Sequence, residues 1–439
     1  AVFDTAILGS NPSAPAKKLM LNLSFNFINS IKRSIFPFYK NKELKLIFKI
    51  LQGDTPKETA TARFVGGCVR KYLSGEEIDD IDIATTLTSD QVKNRFKDTN
   101  FKVLETGLKH GTLTLVSKSK KVEITTLRKD IRTDGRHALI EYTEDWKLDS
   151  ERRDFTINAI YLDINGKIFD PQMGTVDLKN RNIKFIGDPQ KRITEDYLRI
   201  IRFIRFKVMY DLETEQTTVD AIKQNLDGIK KISKERILSE LLKILELKNF
   251  TKINENKSLS EIFCLIFPEF IYLDRLKRLH KIYDHSKLNI DILLAVLLID
   301  EKDNHEYFSH KYNVSNKIKG NLQKFASHLK EMDKSKNFLE KNLLKNLYIH
   351  GKNHLVALNI INFTFKPKIQ LAEFSTNLKS ILKADVPKFH IDGDYLKKYG
   401  MQEGASLGKA LKIVENEWIE NNFAISQNRV KEIIDIYKI

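Results

Sequence analysis

Cysteine is scarce: the 439 residues hold two, Cys68 and Cys264. Neither lies in a CxxC pair, which leaves no disulfide framework and no cysteine-built zinc site. A reducing compartment is expected, the cytoplasm first. No apolar run approaches the roughly 18 residues of a membrane span. Internal repeats and long low-complexity tracts are missing too. Acidic side chains are absent from residues 5–42, which carry several lysines. That bias fits an organellar transit segment, making an organelle matrix the alternative location. A second reading starts from ILGSNPSAPA (7–16), which shows no periodicity and is expected to be disordered. GSNP is what GGT-TCG-AAT-CC encodes, a sequence found in the T-arm of many tRNA genes. On this reading, which we adopt, residues 1–19 are read-through of an upstream gene and Met20 is the true start.

What is present describes a soluble globular chain long enough for several cores, with 41% hydrophobic and 30% charged residues. Lys and Arg number 74 against 58 Asp and Glu, a net charge of +16. A polyanionic partner, nucleic acid most simply, fits that excess. A lysine-rich surface from an AT-rich genome produces the same excess.

Periodicity divides the chain. NKELKLIFKILQ (41–52) predicts a helix, ARFVGG (62–67) a strand and turn, and CVRKYLSG (68–75) a short helix ended by Gly75. IDIAT (81–85) reads as a strand and QVKNRFKD (91–98) as a helix. FKVLETG, GTLTLVSK and KVEITTLR read as three strands with turns at 108–110 and 118–121. RRDFTINAIYLDING starts helical and turns into a strand. The region to about 180 is α+β with a small sheet, and after EDYLRIIRF the periodicity is helical almost to the end.

Three short pieces carry chemistry. In VGGCVR, Gly66 and Gly67 let backbone N–H groups approach a phosphate at a helix N-terminus, with Arg70 one turn in. Alone, Gly-Gly is an ordinary tight turn. In DDIDIA, Asp80 and Asp82 are two apart, so an extended segment points both to one face and Asp79 to the other. Two close carboxylates suit Mg²⁺. A lone DxD is commonly an acidic loop, but this one follows the glycines across one helix. In VEITT, Glu123 opposes Val122 and Ile124. If its strand pairs with IDIAT, it becomes a third carboxylate on the same face, and three acids hold two metal ions.

Taken in order, GGCVR, DIDIAT, EITTLRKDIRTDGRHA, ERRDFTINA, DPQMGTVDL, EDYLRIIRFIRF and SKERI resemble the class II tRNA nucleotidyltransferases, the CCA-adding enzymes, and their relatives the bacterial poly(A) polymerases. HIDGDYLKKYGMQEGASLGKAL (390–411) resembles the C-terminal segment of alphaproteobacterial members. The resemblance implies a polymerase β-like nucleotidyltransferase head with a small mixed sheet, followed by all-α neck, body and tail. The expected bounds are an extension over 1–38, head 39–172, neck 173–250, body 251–375 and tail 376–439. It implies template-independent addition of C, C and A to the tRNA 3′ end from CTP and ATP, with pyrophosphate release and Mg²⁺ as cofactor. Asp80 and Asp82 would bind the metals, with Glu123 the third acid. Gly66, Gly67 and Arg70 would hold the triphosphate. Arg152, Asp154 and Asn158 would contact ribose and phosphates, the last two sharing a face at i, i+4 of a predicted helix. Arg128, Asp130, Gly135, Arg136 and His137 would belong to a flexible loop linked to switching from C to A. Asp170, Pro171, Gly174 and Asp177 would join head to neck. One departure is Lys71, where the family often has Asp or Asn. Partners would be tRNA, CTP and ATP, with neither DNA nor membrane. The Lys-rich C-terminal half would bind the acceptor arm. The rival readings are a poly(A) or partial-specificity enzyme, and a non-catalytic RNA-binding protein.

ITEDYLRIIRFIRF (193–206) predicts one continuous helix with Glu195, Asp196, Arg199 and Arg202 on one arc. Cytosine and adenine both present a donor next to an acceptor on their pairing edge. An acceptor-only Asp beside a donor-only Arg matches that pattern and mismatches uracil and guanine. Asp196 and Arg199, at i, i+3, are the expected pair. Arg202 would brace Asp196 or a phosphate, and Leu198, Ile200, Ile201 and Ile204 would pack inward.

Overall fold

The computed structural model describes residues 38–56, 61–108, 111–117, 120–133, 138–334 and 338–437. Most of the expected N-terminal extension, and Gly135, Arg136 and His137, lie outside the described residues. The chain divides into two compact units, the first ending at Ser233 and the second starting at Lys234. Among the described residues, no helix is long and apolar enough to cross a membrane.

The first unit is built on a mixed sheet. Its strands are β1 (Ala62–Val65), β2 (Ile81–Thr85), β3 (Lys102–Gly107), β4 (Thr112–Val116), β5 (Lys121–Thr126), β8 (Tyr161–Leu162) and β9 (Ile168–Phe169). The spatial order is β3-β4-β5-β2-β1-β8-β9. Only the central β2–β5 pair is parallel; the other pairings are antiparallel. Period-2 alternation fixes the faces. Phe64, Ile81, Ile83, Leu113, Leu115, Val122 and Ile124 point to one side. There they pack on the helices Lys42–Gln52, Gly67–Ser74 and Ser89–Phe96, which supply Leu44, Ile47, Leu51, Cys68, Val69, Val92 and Phe96. The opposite side carries a smaller apolar patch of Val65, Ala84, Leu127 and Tyr161, and beside it the polar residues of β2 and β5.

β6 (Arg128–Thr133) and β7 (Ala138–Tyr142) form a separate two-stranded ribbon. This corrects the expectation of a loop from Arg128 onward: Arg128 and Asp130 lie in a strand, paired with Tyr142 and Ile140. The charged run RKDIRTD carries no apolar alternation, so period 2 does not mark it as a strand.

The predicted helix over 193–206 is also interrupted. One helix runs Pro189–Glu195 and the next Leu198–Tyr210. Between them Asp196 is extended (φ −154°, ψ 102°), and its Oδ1 accepts from the Leu198 N–H at 3.1 Å. A short acidic side chain that satisfies a nearby backbone donor competes with helix continuation. Leu198, Ile200, Ile201 and Ile204 are buried as expected, and Phe203 and Phe206 are buried as well, against Phe155 and Phe185.

Every regular element described in the second unit is a helix. The helix Ile290–Leu298 lies at its centre with Leu293 to Leu298 all buried, packed by the helices Lys234–Leu245, Arg275–Leu279, Asn316–Lys334 and Lys352–Phe365. A smaller core of Leu396, Met401, Ala410, Val414, Val430, Ile433 and Ile434 closes the C-terminal helices.

Three histidines meet where Asn316–Lys334, Leu343–His350 and Lys352–Phe365 approach. His328 Nδ1 lies 2.8 Å from His354 Nε2, and the His328 and His350 ring centroids are 4.2 Å apart. Burial, the His328 imidazole and Lys324 push His350 from 6.5 to about 4. Burial, Lys324 and the other two rings push His354 to about 3. The folded unit therefore refuses protons that the unfolded chain takes up below pH 6.5, so stability falls as pH drops through 6.5 toward 4. Because both rings are partly solvated, we expect a loss of about 1–2 kcal/mol. Thermal melts between pH 7 and 4.5 should show a drop that His354→Asn flattens.

Candidate active site

The site begins where β1 ends. Gly66 has φ 72°, ψ −126°, a left-handed conformation that glycine adopts without strain. The helix Gly67–Ser74 starts at once, directing its first N–H groups outward. A Cβ built on Gly66 or Gly67 would meet no atom closer than 3.9 Å, so the turn is open to a ligand.

Beside it, β2 and β5 pair in parallel with Asp82 opposite Glu123. The two acids share the sheet face away from the helices, together with Thr114 of β4, which pairs with Glu123. Asp80 lies just before β2. Asp79 turns away into an ion pair with Lys71, giving the departing Lys a partner. Burial, then the Glu123 charge, with Asp80 adding to it, pushes the Asp82 carboxyl up to about 6, against the pull of Arg153 and Arg70. A half-buried acid crowded by two others keeps an excess of negative charge that Arg153 and Arg70 do not cancel, and a cation fits that excess. The expected three-acid cage is not assembled: among the described residues, no three His, Cys, Asp or Glu side chains form a ready metal-ligand group. Glu123 instead leans toward Lys121 at 3.7 Å. One or two carboxylates completed by substrate phosphates is the usual Mg²⁺ arrangement. Beneath the acids, the Cys68 thiol donates to the Val65 and Asp82 carbonyls, and burial pushes it up to about 11, so it stays protonated.

A buried polar chain runs from the glycine turn to the helix Leu198–Tyr210. Arg70 is 5% exposed, donates through Nε to Tyr210 Oη at 3.0 Å and through Nη1 to Asn158 Oδ1, and stacks on Phe206. Asn158 Nδ2 donates to Asp154 Oδ1 at 2.8 Å. Asp154 Oδ2 accepts from Arg202 Nε at 2.8 Å. Burial alone would raise the Asp154 carboxyl, but Arg202, Asn158 and the Phe155 N–H hold it well below the usual carboxylate range. Asp154 and Asn158 thus meet as expected, although on a 3₁₀ turn (Thr156–Asn158) rather than an α-helix. The guanidinium of Arg202, expected to brace Asp196 or a phosphate, binds Asp154.

Arg199 is buried and donates to Glu195 Oε2 at 2.5 Å and to the Arg192 carbonyl at 2.6 Å. Glu195 also binds Arg192. The spacing of Asp196 and Arg199 is therefore not that of one helical face; they are linked through the Arg199 N–H to the Asp196 carbonyl at 3.0 Å. The Arg128 Nε lies 3.6 Å from Asp130 Oδ1. Asp170 caps the helix Gly174–Lys179 by accepting from the Gly174 and Thr175 N–H groups, and Asp177 accepts from the Thr156 hydroxyl at 2.7 Å.

Two residues outside the sequence-based set belong here: Asp149, fully buried, and Arg153, whose charge acts on Asp82. The signal available was spacing, since Asp149 stands three and four residues before the two arginines of ERRD.

The mixed sheet, the open glycine turn and the acids on adjacent strands define a nucleotidyltransferase head. Residues 62–184 match the family described as Poly A polymerase head domain, and residues 211–272 the probable RNA and SrmB-binding site of polymerase A. The chain is 30% identical over 440 residues to CCA tRNA nucleotidyltransferase 1, mitochondrial, of Mus musculus, covering 96% of this chain and 98% of that protein. It is 31% identical to the CCA-adding enzyme of Lactococcus lactis subsp. lactis, covering 83% and 91%. The fold resembles that of the Bacillus stearothermophilus CCA-adding enzyme in complex with CTP, with TM-score 0.65, 24% identity, and 89% and 95% of the two chains covered. The chain belongs to the class II CCA tRNA nucleotidyltransferase family and is a nucleotidyltransferase. Enzymes of this family generally use divalent metal ions.

Proposed function

We propose that this chain adds C, C and A, without a nucleic-acid template, to the 3′ end of tRNA from CTP and ATP, releasing pyrophosphate. The observation that carries the reading is the Asp82–Glu123 register, with Asp80 close by, beside the Gly66–Gly67 turn. Asp80 and Asp82, with Glu123, would hold the divalent ion, for which Mg²⁺ fits the sparse carboxylate set. When bound, it supplies positive charge to the attacking 3′ oxygen and the departing pyrophosphate. The backbone N–H groups after Gly66 receive the phosphates. Arg70, locked onto Asn158 and Tyr210, keeps Nη2 facing Gly67 and the same phosphates. Asp154 and Asn158 present an acceptor and a donor to a ribose hydroxyl. Asp196 and Arg199 read the base edge, and Glu195 holds Arg199 until a base replaces it. The second unit binds the tRNA.

The test supplies tRNA lacking its terminal CCA, each nucleotide separately, and Mg²⁺. CTP alone should add two residues, and ATP should add one only afterwards. Long A tails would mark a poly(A) polymerase, and no addition would mark a non-catalytic RNA-binding protein. In the same assay Asp196→Ala should lose discrimination against UTP and GTP by roughly 10–100-fold. Unchanged discrimination would remove Asp196 from base reading.

A further inference from the structure

Asp149 sits at the end of the helix Trp146–Glu151 with no exposed surface. Its Oδ1 accepts from Arg152 Nε at 2.8 Å and from the Arg128 N–H at 3.3 Å. Its Oδ2 accepts from Tyr161 Oη at 2.7 Å and from Arg153 Nη2 and Nε at 3.0 and 3.2 Å. Burial opposes its charge, but the two guanidiniums and the tyrosine hold it ionised, well below the usual carboxylate range. Such a carboxylate fixes each of its donors in direction.

The consequence is clearest at Arg153. Two of its nitrogens are spent on Asp149, and its ring-side face lies over Tyr161, with Cζ 5.3 Å from the centroid. Its remaining nitrogen, Nη1, lies 3.9 Å from where a Cβ on Gly66 would sit. Its charge is also among those felt by Asp82. Tyr161 itself pairs with Val65, the residue before that turn. The same carboxylate grips Arg128, where the β6–β7 ribbon leaves the sheet.

We propose that Asp149 is a positioning residue for nucleotidyl transfer. It aims Arg153 Nη1 into the gap between the Gly66–Gly67 turn and Asp82, where an anionic nucleotide enters, and ties the root of the ribbon to the same point. The proposal rests on the nucleotidyltransferase reading above. A structural role alone would lower stability without moving nucleotide affinity. A positioning role moves KM even in the folded fraction.

The experiment compares the full-length wild type with Asp149→Asn, Arg153→Lys and the double variant, measuring addition to tRNA lacking CCA. Asp149→Asn should raise KM for both CTP and ATP about tenfold, with kcat changed less than about threefold. Arg153→Lys should raise KM similarly, and the double variant should be impaired by less than the product of the two single effects, since both act on the Arg153 guanidinium. A wild-type KM in soluble Asp149→Asn, or effects that multiply in the double variant, would overturn the proposal. Should Asp149→Asn fail to fold, a wild-type KM in Arg153→Lys overturns it alone. Wild-type protein that adds nothing would instead defeat the parent reading.

Discussion

Asp82→Asn is expected to abolish nucleotide addition, by at least about a thousandfold, while leaving the fold as stable as the wild type or more so. The activity loss follows from the sheet. Asp82 is the most enclosed of the three acids, set opposite Glu123 by the parallel β2–β5 register. Removing charge stabilisation worth several kcal/mol from phosphoryl chemistry corresponds to about three orders of magnitude or more. The stability gain follows from the same geometry. Burial and two like charges push the Asp82 carboxyl up to about 6, so the ionised form strains the fold. Asparagine keeps the shape and removes the charge, and function-bearing groups of this kind are where stability is conceded. Thermal melts without divalent ion, run beside the addition assay, check both halves. Asp79→Asn is the control. Asp79 is exposed and faces Lys71, and its loss should change activity less than about threefold. Equal losses at Asp79 and Asp82 would refute the assignment.

The sequence exposed the parts of this site that depend on period 2. Alternation in IDIAT and KVEITT put Asp82 and Glu123 on solvent-side faces before any pairing was known, and the Gly66–Gly67 turn declared itself by composition. What it concealed were properties set by distant partners. The β6–β7 ribbon pairs apart from the main sheet, and its first strand, RKDIRT, has no apolar alternation to betray a strand. The interruption at Asp196 carries no Gly or Pro; it depends on one side chain satisfying the Leu198 N–H. Arg202 reaches Asp154, 48 residues away, a partner that helical spacing does not reveal. Asp149 had visible spacing to Arg152 and Arg153 but no visible burial. Without burial, an acid three residues from an arginine is an ordinary surface pair worth about 0.2–0.5 kcal/mol.

Gly174→Ala is expected to be strongly destabilising. Its cause is contact rather than backbone conformation, because Gly174 does not occupy the left-handed region. A Cβ there would lie 2.1 Å from the Thr156 carbonyl oxygen and 2.9 Å from Ile160 Cγ1. Neither neighbour can retreat. The Thr156 hydroxyl is held by Asp177, and its carbonyl accepts from the Ala159 N–H at 3.0 Å. Ile160 is fully buried under the sheet. Overpacking against backbone should cost about 2–4 kcal/mol, a fall of roughly 5–15 °C in the melting temperature of a unit this size. The damage should also reach the substrate. Thr156 opens the turn that carries Asn158 to Asp154 and Arg70, so displacing it should raise KM for CTP and ATP in the protein that remains folded. Two further glycines separate contact from conformation. Gly187 has φ +81° with nothing within 4 Å, so Gly187→Ala should cost only the left-handed strain, about 1–2 kcal/mol. Gly320, inside the helix Asn316–Lys334, has neither crowding nor positive φ, so Gly320→Ala should stabilise by about 0.5–1 kcal/mol. If all three alanines shift the melting temperature alike, close packing of Gly174 on Thr156 is not what sets that part of the site.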